Sequence, residues 1–297
     1  MNEFQREMQP WPALAPFGRT VKLLRGGLSV FVYDSGASEK PPLVLIHGLG
    51  DEADTWRHVF APLSERYRVV ALDLPGFGRS EKPNRAYALS FLRDTVVDLL
   101  DTLKLSPATL MGSSLGAVIA QAVALAHPAR VRELILLDGS ITSRAQKVNP
   151  VILQMALPFL GERMYSGLRG HPQAAYDSLR PYYANLDSLP EVDRQFLYQR
   201  VNERVWSDGQ MRAFLSILRQ LVFSAPFRQK AQETQLAQLT TPTHAIWGEL
   251  DVINAVESGR ALVAVQKSAR LTVLPGVGHL PQQEAPELIV KAVSSER

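Results

Sequence analysis

The chain has 297 residues, 46% of them hydrophobic and 21% charged, with a formal net charge of +3. This composition suits one large core with an inserted elaboration and argues against disorder. The absence of cysteine excludes disulfide frameworks, thiolate nucleophiles and Cys-ligated zinc. The basic residues are scattered, no apolar stretch reaches membrane-spanning length, and Glu3, Arg6 and Glu7 interrupt the N-terminus where a secretory signal needs apolar residues. A cytoplasmic protein with neither a nucleic-acid partner nor a membrane span is therefore expected.

Taken in chain order, residues 21–24 and 28–33 flank Gly26-Gly27, a link suited to a hairpin, and predict an antiparallel edge. Leu43-Val44-Leu45-Ile46 is a continuous apolar run after two prolines and before His47-Gly48-Leu49-Gly50, the pattern of a strand buried on both faces. Runs of the same kind follow at 69–72, 108–111, 134–137, 244–247 and 271–274. Residues 91–103 carry Leu92, Val96, Leu99 and Leu103 at helical spacing, and 115–126 reads as a second helix. Strand and helix in alternation predict a mostly parallel sheet with helices on both faces. The alternation breaks after Asp138 and resumes near Thr243. Residues 140–225 are therefore predicted to form an inserted helical subdomain, and 1–139 with 226–297 the core. The insert holds Phe159, Tyr165, Tyr176, Tyr182, Tyr183, Phe196, Tyr198, Trp206 and Phe214, most of which are expected to pack rather than touch a ligand.

Gly112-Ser113-Ser114-Leu115-Gly116 matches G-x-S-x-G, with an apolar strand running in and an Ala-rich helix running out, which is the strand-turn-helix setting of a nucleophile elbow. Gly112 and Gly116 lack side chains that would collide with the neighbouring strand and helix, and Ser114 is left at the positive end of the helix that follows. A serine hydroxyl needs a base. Of the six histidines, His58 is expected on a surface helix, His127 at a helix end, His171 in the insert, His244 in a buried strand and His47 in the turn after residue 46. His279 follows the strand at 271–274, beyond its carboxyl end, where parallel sheets keep their sites. The carboxylate that holds the base should fall between serine and histidine; Asp251 fits and is favoured over Asp138, which could instead cap a turn at the entry to the insert. The backbone N–H groups of Leu49 and Leu115 are the expected oxyanion donors.

These residues resemble the α/β-hydrolase superfamily along nearly the whole core. The resemblance rests on Leu45-Ile46-His47-Gly48-Leu49-Gly50, Asp73-Leu74-Pro75-Gly76-Phe77-Gly78-Arg79-Ser80, residues 112–116, Trp247-Gly248-Glu249-Leu250-Asp251 and Gly278-His279, in the family's order. It implies a three-layer fold with a mostly parallel eight-stranded sheet, a helical cap, and hydrolysis through an acyl-enzyme with neither metal nor organic cofactor. Relatives that remove halide or open epoxides carry Asp at the nucleophile position, where this chain has Ser114. Relatives that cleave carbon–carbon bonds often carry Trp directly after the histidine, where this chain has Leu280. A carboxylesterase acting on small to medium esters is the expected activity. Carbon–carbon hydrolase, lactonase, thioesterase, amidase and perhydrolase activities share the same triad, and a small-molecule receptor of the same fold is the expectation from another class.

Overall fold

The computed structural model describes residues 2–36, 39–142 and 150–294, with 225–229 described in backbone alone. The start of the predicted insert, 143–149, lies outside the described residues. Eight strands form one sheet: β1 Gly18–Lys22, β2 Ser29–Asp34, β3 Pro42–Ile46, β4 Arg68–Leu72, β5 Ala108–Ser113, β6 Val131–Leu137, β7 Thr243–Gly248 and β8 Ala269–Leu274. Their order across the sheet is β1-β2-β4-β3-β5-β6-β7-β8. β2 is antiparallel to both of its neighbours, and every pair from β4 to β8 is parallel. The first hairpin turns through Gly26-Gly27 as expected, but β1 begins and ends earlier than residues 21–24, running from Gly18 to Lys22. Its turn closes through Leu23 N–H to Leu28 O at 2.8 Å, and the Asp98 carboxylate accepts the N–H groups of Arg25 and Gly26.

The helices of the core are α1 Phe60–Ser64, α2 Leu89–Thr102 and α3 Leu115–Ala126, with three more described below. α2 presents Leu92, Val96, Leu99 and Leu100 to the sheet, the apolar stripe that a 3.6-residue period places on one face. Because successive strand residues point to opposite faces, Val44, Ile46, Val70, Leu72, Leu134 and Leu136 join α2 and α3 in one core. Leu43, Leu45, Val69, Ala71, Ile135 and Leu137 join α1 and the C-terminal helix in a second core on the other side. Strands buried on both faces therefore read as unbroken Val, Leu and Ile, which is why they were legible as parallel strands.

Between β6 and β7 the described residues form helices and no strand: α4 Pro150–Ala156, α5 Leu160–Gly167, α6 Pro172–Asp177, α7 Glu191–Trp206, α8 Asp208–Phe223 and α9 Ala225–Leu236. Tyr165, Tyr176, Tyr183, Leu197, Val201 and Val205 make a core of their own there. Leu236 and Leu239 belong instead to the main core beside α2 and α3. Phe159 departs from the expectation that the aromatics pack: it is 89% exposed and holds φ +65° at the start of α5. After β7 come α10 Glu257–Val265, α11 Pro281–Glu284 and α12 Pro286–Ser294.

The glycines of the elbow are the tightest points of this architecture. A Cβ on Gly116 would stand well inside 3.0 Å of the Ile46 carbonyl oxygen, and one on Gly112 would strike the Gly116 backbone. Backbone on both sides leaves little room to relax, so Gly116→Ala should lower stability by about 1–3 kcal/mol in urea unfolding. Gly167→Ala, where a Cβ meets nothing within 4 Å, should hold or raise the midpoint. Equal midpoints for the two variants would remove the steric account.

Candidate active site

Ser114 stands between β5 and α3 with φ 54° and ψ −114°, a left-handed conformation unusual for a residue with a side chain. Such a conformation costs about 1–3 kcal/mol and persists only where the surroundings enforce it. Here they do: Ser114 N–H donates to Leu137 O at 2.8 Å, and Ser114 O accepts from Ala117 N–H at 3.0 Å. A Cβ on Gly139 would collide with the Ser114 backbone, so the loop after β6 is pressed against the turn. Leu115 opens α3, and the first N–H groups of a helix have no partner within it. From the other side, a Cβ on Gly48 would lie 3.3 Å from Ser114 Cβ, which places the Gly48-Leu49-Gly50 turn directly against the serine.

His279 follows β8 and is 1% exposed; its Nδ1–H donates to Asp251 Oδ2 at 2.7 Å. The other Asp251 oxygen, Oδ1, accepts from Ile253 N–H at 2.7 Å and Asn254 N–H at 2.9 Å, so both oxygens are held by donors. His279 N–H donates to Tyr182 O at 3.1 Å, and the Tyr182 ring centroid lies 5.8 Å from the imidazole. Glu284 accepts the Gly278 and Ala184 N–H groups and so braces the loop from behind; burial pushes its carboxyl up. Gln282 donates to Ser113 Oγ at 3.2 Å and to Thr55 Oγ1 at 3.0 Å, joining the helix after His279 to the elbow. Strands β5 to β8 are consecutive neighbours, so Ser114, Asp138, Asp251 and His279 all come to one edge of the sheet, at its carboxyl ends.

Asp138 does not cap a turn at the entry to the insert. Its Oδ1 accepts from Gly248 N–H at 2.8 Å, binding the end of β6 to the end of β7. His47, His58 and His244 make contacts of their own within the fold. His47 bridges two loops, with Nδ1 bonded to Gly48 O at 2.7 Å and Nε2 accepting from Leu74 N–H at 2.9 Å; burial lowers its pKa and keeps the ring neutral. His58 lies in a turn rather than on a surface helix, 2.8 Å from Asp193 on α7. His244 is buried in β7, and burial beside Arg270 lowers its pKa to about 4.

A strained serine between a parallel strand and a helix, and a buried histidine held by an aspartate from the end of the adjacent strand, are the parts of one recurrent design. The sequence profile of the alpha/beta hydrolase fold matches residues 41–286. The chain belongs to the α/β-hydrolase family. An uncharacterised protein of Mycobacterium tuberculosis is 28% identical over 314 residues, covering 99% of this chain and 85% of that protein. Epoxide hydrolase 4 of Mus musculus is 26% identical over 286 residues, covering 91% and 76% respectively. The 2-hydroxymuconate semialdehyde hydrolase of Pseudomonas sp. strain CF600 is 40% identical over a shorter stretch of 123 residues, covering 40% of this chain and 43% of that enzyme. No helix among the described residues of this α/β hydrolase is long and apolar enough to cross a membrane.

A buried set of charges with no signature in the sequence holds the loop after β3 in this hydrolase. Arg204 on α7 grips both Glu52 oxygens at 2.7 Å and also pairs with Asp51, which directly follows the Gly48-Leu49-Gly50 turn. Arg200, one turn earlier, lies 3.2 Å from Glu52 and 3.0 Å from Glu203, and Arg57 pairs with Asp193. Beneath them Arg79 holds Asp73 at 2.8 Å and Asp54 at 2.7 Å. Burial works against ionisation at Asp73, but the Arg79 charge and its hydrogen bonds prevail and lower its pKa. The helical insert thus holds the β3 loop by ion pairs shielded from water. Glu52 is 1% exposed, so Glu52→Ala leaves two buried guanidinium groups short of their partner. Removing one member of such a pair costs about 3–5 kcal/mol, and urea unfolding of Glu52→Ala should show a loss of this size. A loss comparable to that of an exposed pair would show that water reaches these charges.

Proposed function

We propose that this α/β hydrolase is a serine hydrolase that cleaves small to medium carboxylic esters through an acyl-enzyme. The observation that carries the proposal is the 2.7 Å bond from His279 Nδ1–H to Asp251, at the same sheet edge as the strained Ser114. In this reading Ser114 Oγ attacks the ester carbonyl while His279 Nε2 takes the hydroxyl proton. Asp251 keeps Nδ1 protonated and stabilises the imidazolium that forms. The N–H groups of Leu49 and Leu115 receive the oxyanion, with the positive end of α3 behind it. His279 then passes the proton to the leaving alcohol, the acyl group stays on Ser114, and a water deprotonated by His279 releases the acid. The cycle needs only side chains, backbone and water.

We assign the helical insert, residues 140–225, as a cap over the remaining core. Leu49 packs with Met155, Met211 and Phe214 of the insert, an apolar wall beside the proposed oxyanion donors that suits an ester's hydrocarbon part. The mouse relative is an epoxide hydrolase by name; the serine at the nucleophile position here favours acyl transfer over epoxide opening. Carbon–carbon bond hydrolysis is the second reading, favoured by the segment 40% identical to the 2-hydroxymuconate semialdehyde hydrolase. Leu280 after the histidine weighs against it.

A series of p-nitrophenyl esters graded by acyl length, run beside lactones and ring-fission diketones, separates these readings. The short and medium esters should turn over fastest, and the enzyme should be labelled at Ser114 by a fluorophosphonate. Ser114→Ala should lower kcat by about 10⁴ to 10⁶. A variant retaining near-native turnover would place the nucleophile elsewhere.

A further inference from the structure

Asp138 is wholly buried and takes no part in the chemistry above. Its backbone is held at φ +49° by its own N–H donating to Ile246 O at 3.1 Å, and by Asn254 Nδ2 donating to its carbonyl at 2.8 Å. With Oδ1 engaged by Gly248 N–H, the side chain cannot turn away. Its second oxygen, Oδ2, is buried and meets no donor among the described residues. A second carboxyl lies beside it. One oxygen of Asp138, one of Asp251 and a ring nitrogen of His279 all lie within 4.8 Å of one another, and the two carboxyls are within hydrogen-bonding range.

Two carboxyl oxygens buried at that range attract only if a proton lies between them. Asp251 already accepts three N–H donors, so the proton belongs on its neighbour. We propose that Asp138 is a neutral carboxylic acid at working pH, donating its Oδ2–H to the Asp251 carboxylate, and is a positioning residue for the group that holds His279. The proposal rests on the triad reading given above. Burial, and then the charge of Asp251, push the Asp138 carboxyl well above the usual carboxylate range. Glu284 on α11 acts in the same direction, and among the described residues His279 also faces the pair.

The arrangement has a chemical purpose. His279 must accept a proton from Ser114 and return it to the leaving group, so the imidazolium should be stabilised without being trapped. Two ionised carboxylates within 4.8 Å of the ring would over-stabilise it; one carboxylate, fixed from behind by a neutral donor, gives orientation with a single negative charge. Asn fits the same role, because its carbonyl oxygen accepts from Gly248 and its amide donates to Asp251.

The test compares Asp138→Asn, Asp138→Ala and Asp251→Asn in the full chain, using p-nitrophenyl butyrate. Asp138→Asn should keep kcat within a few-fold of the native value. Asp138→Ala should lower kcat about 10²-fold with KM little changed, through loss of alignment, and Asp251→Asn should lower it by about 10⁴. If Asp138→Ala does not fold, the Asn variant decides. A loss in Asp138→Asn as large as in Asp251→Asn would put a needed charge on Asp138 and overturn the proposal.

Stability gives a second readout, independent of turnover. A carboxyl whose pKa is raised by folding contributes stability that is fully present below the unfolded value of about 4 and is lost as pH rises through the folded value. The stability of the native protein relative to Asp138→Asn should therefore fall as pH rises from about 4, measured by urea unfolding. A difference constant with pH would overturn the proposal. Fluorophosphonate labelling separates the two levels: an unlabelled Ser114 defeats the triad reading, while the pH dependence still reports the proton on Asp138.

Discussion

Gly116 on α3 lies so close to the Ile46 and His47 carbonyls at the end of β3 that no side chain fits between them, and Gly112 meets Gly116 in the same way. This backbone-to-backbone approach sets the position of α3 on the sheet, and with it the turn that forces Ser114 to φ 54°. The strain at the serine is offset by the packing of α3 in the main core, where Ile119, Ala120, Val123 and Ala124 are buried against the strands. Gly139 presses on the same turn from β6 and Gly48 faces it from β3. Three adjacent strands therefore determine where one hydroxyl stands, and the proposed chemistry depends on that.

A second constraint is electrostatic. Arg200 and Arg204 reach from α7 to Asp51 and Glu52, and Arg79 holds Asp54 and Asp73 beneath the same loop. Burying so many charges brings little net stability compared with apolar packing, because desolvation offsets most of the attraction. What such an array supplies is uniqueness: any other placement of α7 would leave charges unpaired away from water. The loop that it fixes carries Leu49.

The sheet and the elbow were legible because they obey local rules. Strands buried on both faces spell out as Val, Leu and Ile, and the glycine spacing around Ser114 has one steric meaning; α3 runs over Leu115–Ala126 as its pattern predicts. His279 was singled out by its place after a strand and Asp251 by its order in the chain, and the structure bonds the two side chains. The charge array was not legible. Asp51, Glu52, Arg200 and Arg204 look like solvated surface residues in sequence, since nothing local marks a charge whose partner lies about 150 residues away. The same holds for Asp138. Its relation to Asp251 follows from β6 and β7 lying side by side although the whole insert separates them in the chain, and sequence order alone shows them as rivals for one role. Phe159 illustrates the reverse limit, since helical spacing suggested packing and the backbone turns it outward.

The insert and the β3 loop act as one clamp. Arg204 holds Asp51 and Glu52 by charge, Gln210 and Phe214 on α8 reach Gly50, and Leu49 sits among Met155, Met211 and Phe214. The wall that would meet the substrate and the loop proposed to receive the oxyanion thus share one helix, α8. A change in the insert that reshapes the apolar wall can leave the oxyanion donors in place only if the Arg204 and Gly50 contacts survive. Under the proposed reading, changes on α4, which brings Met155, can reshape the wall alone, whereas α8 brings Met211 and Phe214 to the wall and Gln210 to Gly50, so its inward face is tied to both wall and loop.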